Sequence, residues 1–211
     1  MAIYSLLDRL IPYQRIDHPP VFTCEEASRL LPDLPAAKTK NLFLRDPKSE
    51  RLFLVVSPEE SRVDLKALAA RLGVKRLSFG SPERLEAVLG LTPGSVTLLA
   101  MVRDSEHAVE LVVDERIWQA EQVQCHPLVN TATLLIRLDD VRRLLTHLGR
   151  EACVMALPIV AADYGRHHHQ DAAPTRADPF RMPPGAVIWS TVPRRNSRAI
   201  RWHDLTRMAC Y

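Results

Sequence analysis

Two apolar runs of strand length, Asn41-Leu-Phe-Leu and Leu52-Phe-Leu-Val-Val, flank the segment Asp46-Pro47-Lys48-Ser49. Proline presets a turn dihedral and Asp can bond its own backbone two residues on. The flanking residues suit a buried extended chain. The pair predicts a hairpin, and a hairpin commits the chain to a sheet with an antiparallel step.

The surrounding signals mix helix and strand. Ile3 to Leu10 has the apolar spacing of a short helix. Thr23-Cys24-Glu25-Glu26 is a capping box, opening a helix through Leu30 or Leu31 that stops before Pro32. Asp64 caps a helix to Leu72, with Leu65, Leu68, Ala69 and Leu72 on one face and Gly73 as its stop. Ser81-Pro82 begins another that ends at Gly90. Strands are expected at Val96 to Val102, Val109 to Val113, Val123 to Cys125 and Thr133 to Arg137. A helix from Asp139 to Leu148, stopped by Gly149, precedes a last strand near Cys153 to Leu157. Strands clustered in hairpins indicate an α+β fold with a mixed or antiparallel sheet, not a doubly wound one.

Composition divides the chain near Pro158. Residues 158–211 hold eight Arg and four Asp with no Lys or Glu, five scattered prolines after Pro158 and the triplet His167 to His169. Such a segment lacks apolar surface to offset ordering entropy and reads as a poorly ordered basic tail. The cluster AVIWS around Ile188 is the one place where it has the means to dock. Residues 1–157 read as the folded domain and are nearly charge-neutral, which argues against a general polyanion binder. Contact with nucleic acid then needs a local patch. Ala37 to Leu52 is a candidate, with Lys38, Lys40, Arg45, Lys48 and Arg51 against Asp46 and Glu50.

Other classes are disfavoured. The four cysteines (Cys24, Cys125, Cys153, Cys210) lie far apart without C-x-x-C spacing, so reduced and mostly buried thiols are expected rather than zinc or disulfides. There is no G-x-G-x-x-G, Walker loop or H-E-x-x-H, and neither cofactor nor metal is expected. No segment nears the roughly 18 to 20 unbroken apolar residues that span a bilayer. Asp8 and Arg9 come too early for a signal peptide. The expectation is a cytoplasmic protein without a membrane partner.

Three segments carry candidate chemistry. Lys38-Thr39-Lys40-Asn41 leads into a strand, so an ammonium can stand at the strand mouth, although a snorkelling lysine explains it equally. Thr92-Pro93-Gly94-Ser95-Val96-Thr97 is a Pro-Gly turn whose backbone N–H groups can hold a carbonyl or carboxylate. In Cys125 to Thr133, His126 and Asn130 bracket a proline-bearing loop between apolar strands.

HPPVFTCEEA at His18 to Ala27, KTKNLFLRD at Lys38 to Asp46, LKALAARLGVKRLSF at Leu65 to Phe79, TPGSVT at Thr92 to Thr97 and HPLVNTATL at His126 to Leu134 occur in order. Together they resemble the YbaK/ProX family, free-standing aminoacyl-tRNA deacylases related to the editing domain of bacterial prolyl-tRNA synthetases. The resemblance runs from about Tyr4 to Leu157 and is nearest the ProX branch, which clears alanine from proline tRNA. It implies a mixed, largely antiparallel curved sheet flanked by helices, and a tRNA partner with prolyl-tRNA synthetase nearby. It assigns Lys40 and Asn41 to the ester and terminal ribose, Gly94, Ser95, Val96 and Thr97 to one wall, and His126 to the opposite wall. Asn130 and Thr131 support that wall's loop. Lys40 and His126 are then expected to face each other across a small cavity. The chain departs from the family in having Leu98-Leu99-Ala100 where members usually carry Pro-Phe-Gly, which bears on pocket shape.

An aminoacyl ester is already activated, so a positioned water and charge at the oxyanion suffice for hydrolysis. No G-x-S-x-G elbow argues for a covalent intermediate. Two other readings stay open on sequence: a non-catalytic module that binds aminoacyl-tRNA or nucleic acid, and a deacylase for another pair such as cysteine on proline tRNA.

Overall fold

The computed structural model describes residues 3–21, 29, 34–160, 187–191 and 198–200. The capping box at Thr23, the helix it opens apart from Arg29, Cys24, Cys210 and the His triplet lie outside the described residues. Among the described residues, ten strands form two five-stranded sheets. In chain order they are β1 (Tyr13–Asp17), β2 (Thr39–Arg45), β3 (Leu52–Pro58), β4 (Ser78–Phe79), β5 (Val109–Asp114), β6 (Gln122–Cys125), β7 (Ala132–Arg137), β8 (Ala152–Met155), β9 (Val187–Thr191) and β10 (Arg198–Ile200). One sheet runs β10-β9-β1-β7-β6, the other β4-β2-β3-β5-β8.

The expected hairpin forms, with Asn41 opposite Val56 and Leu44 opposite Phe53. Its turn is tied by Asp46, whose carboxylate accepts from the Lys48 and Ser49 amides, each at 3.2 Å, and from the Ser49 hydroxyl at 2.6 Å. The first sheet is wholly antiparallel, whereas β3, β5 and β8 run parallel. The fold is thus mixed and largely antiparallel.

β3 is buried along its whole length because both faces of its sheet are covered. Leu54 and Val56 join Tyr13, Val123, Leu134 and Ile136 in a core between the sheets. Phe53 and Val55 join Leu44, Leu68, Ala69 and Leu157 in a second core on the other face. The helix Leu65–Arg71 closes that second core, and Asp64 caps it as read from sequence, accepting from Lys66 and Ala67 amides at 2.9 and 3.0 Å. Ser81 likewise caps Pro82–Leu89.

Gly80 shows how tightly β4 closes on the hairpin. Its N–H donates to Phe43 O at 2.9 Å. A Cβ there would stand 2.4 Å from Phe43 Cδ1 and 2.5 Å from Cε1. The ring is buried and fixed, so Gly80→Ala is expected to cost about 1–3 kcal/mol. Equilibrium urea unfolding checks this; a midpoint equal to the parent's would refute it.

One expectation needs correcting. Val96 to Val102 does not form a strand: Leu98–Val102 is a 3-10 helix. Thr97 Oγ1 accepts from the Leu99 amide at 3.4 Å, and the Ala100 amide donates to Thr97 O at 3.0 Å. Leu98 through Met101 are all buried, so the run has no polar alternation, and a short continuous apolar run does not by itself discriminate strand from helix. Of residues 158–211, those described are 158–160, 187–191 and 198–200. The AVIWS cluster supplies β9, which pairs with β1 (Gln14 opposite Ser190), and β10 pairs with β9 in turn. The exposed backbone of β1 supplies hydrogen-bond partners that composition does not record.

Candidate functional site

Residues 36–39 stitch the two sheets together. Ala37 forms a parallel bridge to Val123, its N–H donating to Gln122 O at 2.8 Å and its carbonyl accepting from Gln124 N at 2.9 Å. Thr39 Oγ1 donates to Gln124 O at 3.1 Å, and Gln124 Nε2 donates to Ala36 O at 3.2 Å. The mouth of β2, carrying Lys40 and Asn41, is therefore fixed against the end of β6, where His126 follows.

Strand alternation sends these neighbours to opposite faces. Phe43 lies in the inter-sheet core, and Leu42 and Leu44 pack with the second core. Asn41 thus shares the inter-sheet face, and Lys40 the other. Asn41 Nδ2 donates to Thr39 Oγ1 at 3.5 Å. Its Oδ1 is buried and has no partner among the described residues. Leaving such an acceptor unmet costs about 1–3 kcal/mol, which a ligand donor at that position would relieve.

Lys40 Nζ donates to Ser61 O at 3.3 Å. The Ser61 hydroxyl accepts from Arg116 Nη2 at 3.0 Å. Arg116 in turn grips Asp114 through Nε and Nη2, at 2.9 and 3.1 Å. Asp114, 1% exposed, also accepts from the Arg116 amide at 2.9 Å and the Leu157 amide at 3.3 Å. Burial acts to raise its carboxyl, but the hydrogen bonds from Arg116 and Leu157 and the guanidinium charge outweigh it and hold it below the usual range. Two cations therefore stand on either side of Ser61, one anchored by a buried carboxylate.

Just past the end of β6, His126 Nδ1 lies 3.1 Å from Ala132 O. A carbonyl only accepts, so Nδ1 carries the proton and the neutral ring leaves Nε2 as an acceptor. Burial pushes the His126 pKa below 6.5, the Ala132 carbonyl opposes this, and His18 adds to the lowering. His18 stands edge-on to it, ring centres 6.4 Å apart. By the same rule His18 Nδ1 donates to Pro19 O at 2.8 Å, and Nε2 accepts from Thr133 Oγ1 at 3.1 Å. Its amide donates to Thr131 O at 3.0 Å. Asn130 Nδ2 donates to Val21 O, and Val21 N to Asn130 O, both at 3.0 Å. Asn130 and Thr131 thus pin the His126 loop to the segment after β1. Burial lifts the adjacent Cys125 thiol to about 12, so it stays protonated and is a poor nucleophile.

In the Pro-Gly turn, Gly94 has φ 88°, which glycine alone adopts without strain. Ser95 N and Oγ both donate to Thr92 O, at 3.1 and 2.7 Å. The Gly94, Val96 and Thr97 amides have no acceptor among the described residues. Val96 packs on the inter-sheet core. Leu98, Leu99 and Ala100, the departure noted in sequence, fill that same core and do not line an open turn.

The structure thus brings Asn41 close to the β6 end that leads to His126, and gives His126 its supports in Asn130 and Thr131. Lys40 Nζ donates to Ser61 O, while the printed partner of His126 is Ala132 O. Gly94 to Thr97 make no hydrogen bond to either. Sequence reasoning missed Ser61, Asp114, Arg116 and the support from His18. The only local signal was the Asp114-Glu-Arg116 sequence at a strand end.

A family model described as the aminoacyl-tRNA editing domain matches residues 18–144. The prolyl-tRNA editing protein ProX of Acetoanaerobium sticklandii is 36% identical over 149 residues, 70% of this chain and 91% of its own. Prolyl-tRNA synthetase associated domain-containing protein 1 of Danio rerio is 37% identical over 132 residues, 62% of this chain and 71% of its own. Among solved structures, one described as a trans-editing enzyme for prolyl-tRNA synthetase superposes with a TM-score of 0.53, covering 68% of this chain and 85% of that one. Its sequence identity is 19%, so the likeness is one of fold.

Proposed function

Because the chain belongs to the aminoacyl-tRNA editing domain family, whose activity is deacylation of aminoacyl-tRNA, we propose that it is a trans-editing hydrolase for alanine mischarged onto proline tRNA. Residues 1–157 form the editing unit in this reading, acting in the cytoplasm alongside prolyl-tRNA synthetase. The observation that carries it is the buried, unpartnered Asn41 Oδ1 beside the β6 end that leads to His126. An acceptor left open there suits a donor on the substrate, the ribose hydroxyl or the amino group of the ester.

Need for such an enzyme follows from size. A synthetase pocket built for proline admits alanine, since missing methylenes supply only about 1–3 kcal/mol of discrimination. A second, smaller sieve then removes it, with Val96 as wall material. In the reaction His126 Nε2 takes a proton from water as the water oxygen bonds to the ester carbonyl carbon, and gives it to the ribose oxygen as the ester C–O bond breaks. The free amides of Gly94, Val96 and Thr97 stabilise the oxyanion, as preorganised donors do in a site shielded from water. Lys40 and Arg116 supply positive charge to the terminal phosphate and ester.

A panel of mischarged tRNAs tests the substrate. Release of alanine from proline tRNA, with correctly charged proline retained, is expected. Tight binding without release would instead mean a non-catalytic module, and preferential release of cysteine a different specificity.

Activity should also fall on the acid side. The His126 pKa is depressed, so the ring works unprotonated and loses its free acceptor only below 6.5. Stability follows the same sign: as pH drops below 6.5 the unfolded chain binds the proton first, so stability decreases down to the lower native pKa. Urea midpoints at pH 7.5 and 5.5, for parent and His126→Gln, check this; an equal pH response in both would refute it.

A further inference from the structure

The basic stretch between Ala37 and Leu52 does not act as one patch. Lys40 belongs to the mouth of β2, and Arg51 is taken up by Glu110, with Nε and Nη2 at 2.7 and 2.8 Å from its carboxylate. What the fold gathers instead is Lys48 from the β2–β3 turn and Lys75 and Arg76 from the segment before β4. With Asp46 and Pro47 they line a cleft of about 360 Å³. All three cations are exposed, and none has a salt bridge among the described residues.

Asp46 does not neutralise them. Its carboxylate is buried, 2% exposed, and spent on the Ser49 hydroxyl and on the amides of Lys48 and Ser49. The Ser49 hydroxyl above all, with the amides including that of Arg76, holds it ionised below the usual carboxylate range. The lining therefore carries three positive charges facing solvent against one negative charge facing inward. Glu50, the other nearby acid, pairs with Arg84.

We propose that this cleft binds the phosphodiester backbone of the tRNA acceptor arm, as a second contact separate from the mouth of β2. The assignment rests on the editing reading for the identity of the RNA. β2 itself sets the spacing: Lys40 to Arg45 covers about 17 Å of extended chain at roughly 3.3 Å per residue. The cleft lies at the far end of that rigid strand. A helical RNA arm whose 3′ end reaches Asn41 and Lys40 must pass several phosphates on its way out, and cations at a fixed offset along β2 meet them there. Phosphate contacts of this kind fix orientation without reading bases. A domain with almost no net charge still needs them for affinity, since electrostatic attraction to the backbone dominates binding.

The test uses the full chain and uncharged proline tRNA, with affinity measured against salt. Combining Lys48→Gln, Lys75→Gln and Arg76→Gln should weaken binding about tenfold or more at low salt. It should flatten the slope of log K against log salt by about 2 to 3, since each lost contact removes roughly 0.7 to 0.9. Lys75→Gln alone should give about a third of that change, and thermal unfolding of all variants should match the parent. Affinity and slope equal to the parent's would overturn the proposal. A parent that hydrolyses mischarged tRNA while the triple variant keeps its slope would discard the cleft and leave the editing reading intact. A flattened slope in a chain that releases no amino acid would do the reverse.

Discussion

Lys40→Ala is expected to lower kcat/KM for mischarged tRNA by roughly 10- to 10²-fold while leaving the fold in place. A hydrogen bond or ion pair to a charged group contributes about 1.5–3 kcal/mol, and the loss here removes one of two cations beside the substrate end. Lys40 Nζ makes one internal hydrogen bond, to Ser61 O, and Arg116 remains on the far side of the same residue. Its removal therefore costs little stability, within about 0.5 kcal/mol as for other surface changes. In the proposed reading Lys40 supplies charge to the terminal phosphate, which is bound alike in the ground and transition states. Most of the loss should then appear in KM. Lys40→Arg should restore part of it, because the charge returns with different reach and geometry. Steady-state kinetics with alanyl-tRNA decides the matter: wild-type turnover by the alanine variant would remove Lys40 from the site.

Asp114→Ala is expected to be the most destabilising single change near the site, at about 3 kcal/mol. The carboxylate is 1% exposed and satisfies Arg116 twice through the side chain, the Arg116 amide and the Leu157 amide. Removing it leaves a buried amide unmet and an arginine without its anchor, and breaking such a pair from one side costs several kcal/mol. Asp114→Asn keeps the shape and some of the hydrogen bonds and should lose less. Because the folded-state pKa is lowered, the carboxylate stabilises the fold above the ordinary carboxyl range, and that part is lost as pH falls through the native pKa. Urea unfolding at pH 7 and pH 3.5 reads both effects. A parent-like midpoint for the alanine variant at pH 7 would show that Asp114 holds nothing.

Much of the fold was legible because its determinants are local. The Asp46 turn, the Asp64 and Ser81 caps and the helix near Asp139, observed as Leu138–His147, each depend on residues within a few positions of one another. The parallel pairing of β3 with β5 and of β5 with β8 was not legible, since it joins segments tens of residues apart and leaves no turn signature. The Leu98–Met101 run misled for a related reason: buried throughout, it carries no period to read. In the site, the motif residues could be named from order and spacing, but their partners could not.

What the sequence alone determined is the set of local elements and the motifs that mark the family, because hydrogen bonds across a turn or cap and ordered motifs survive any packing. Tertiary structure decided which charges meet. Lys40 and Arg116 meet at Ser61; Arg51 is withdrawn by Glu110; Lys48 finds Lys75 and Arg76. Charge interactions depend on distance and burial, and both are set only when strands far apart in the chain come together.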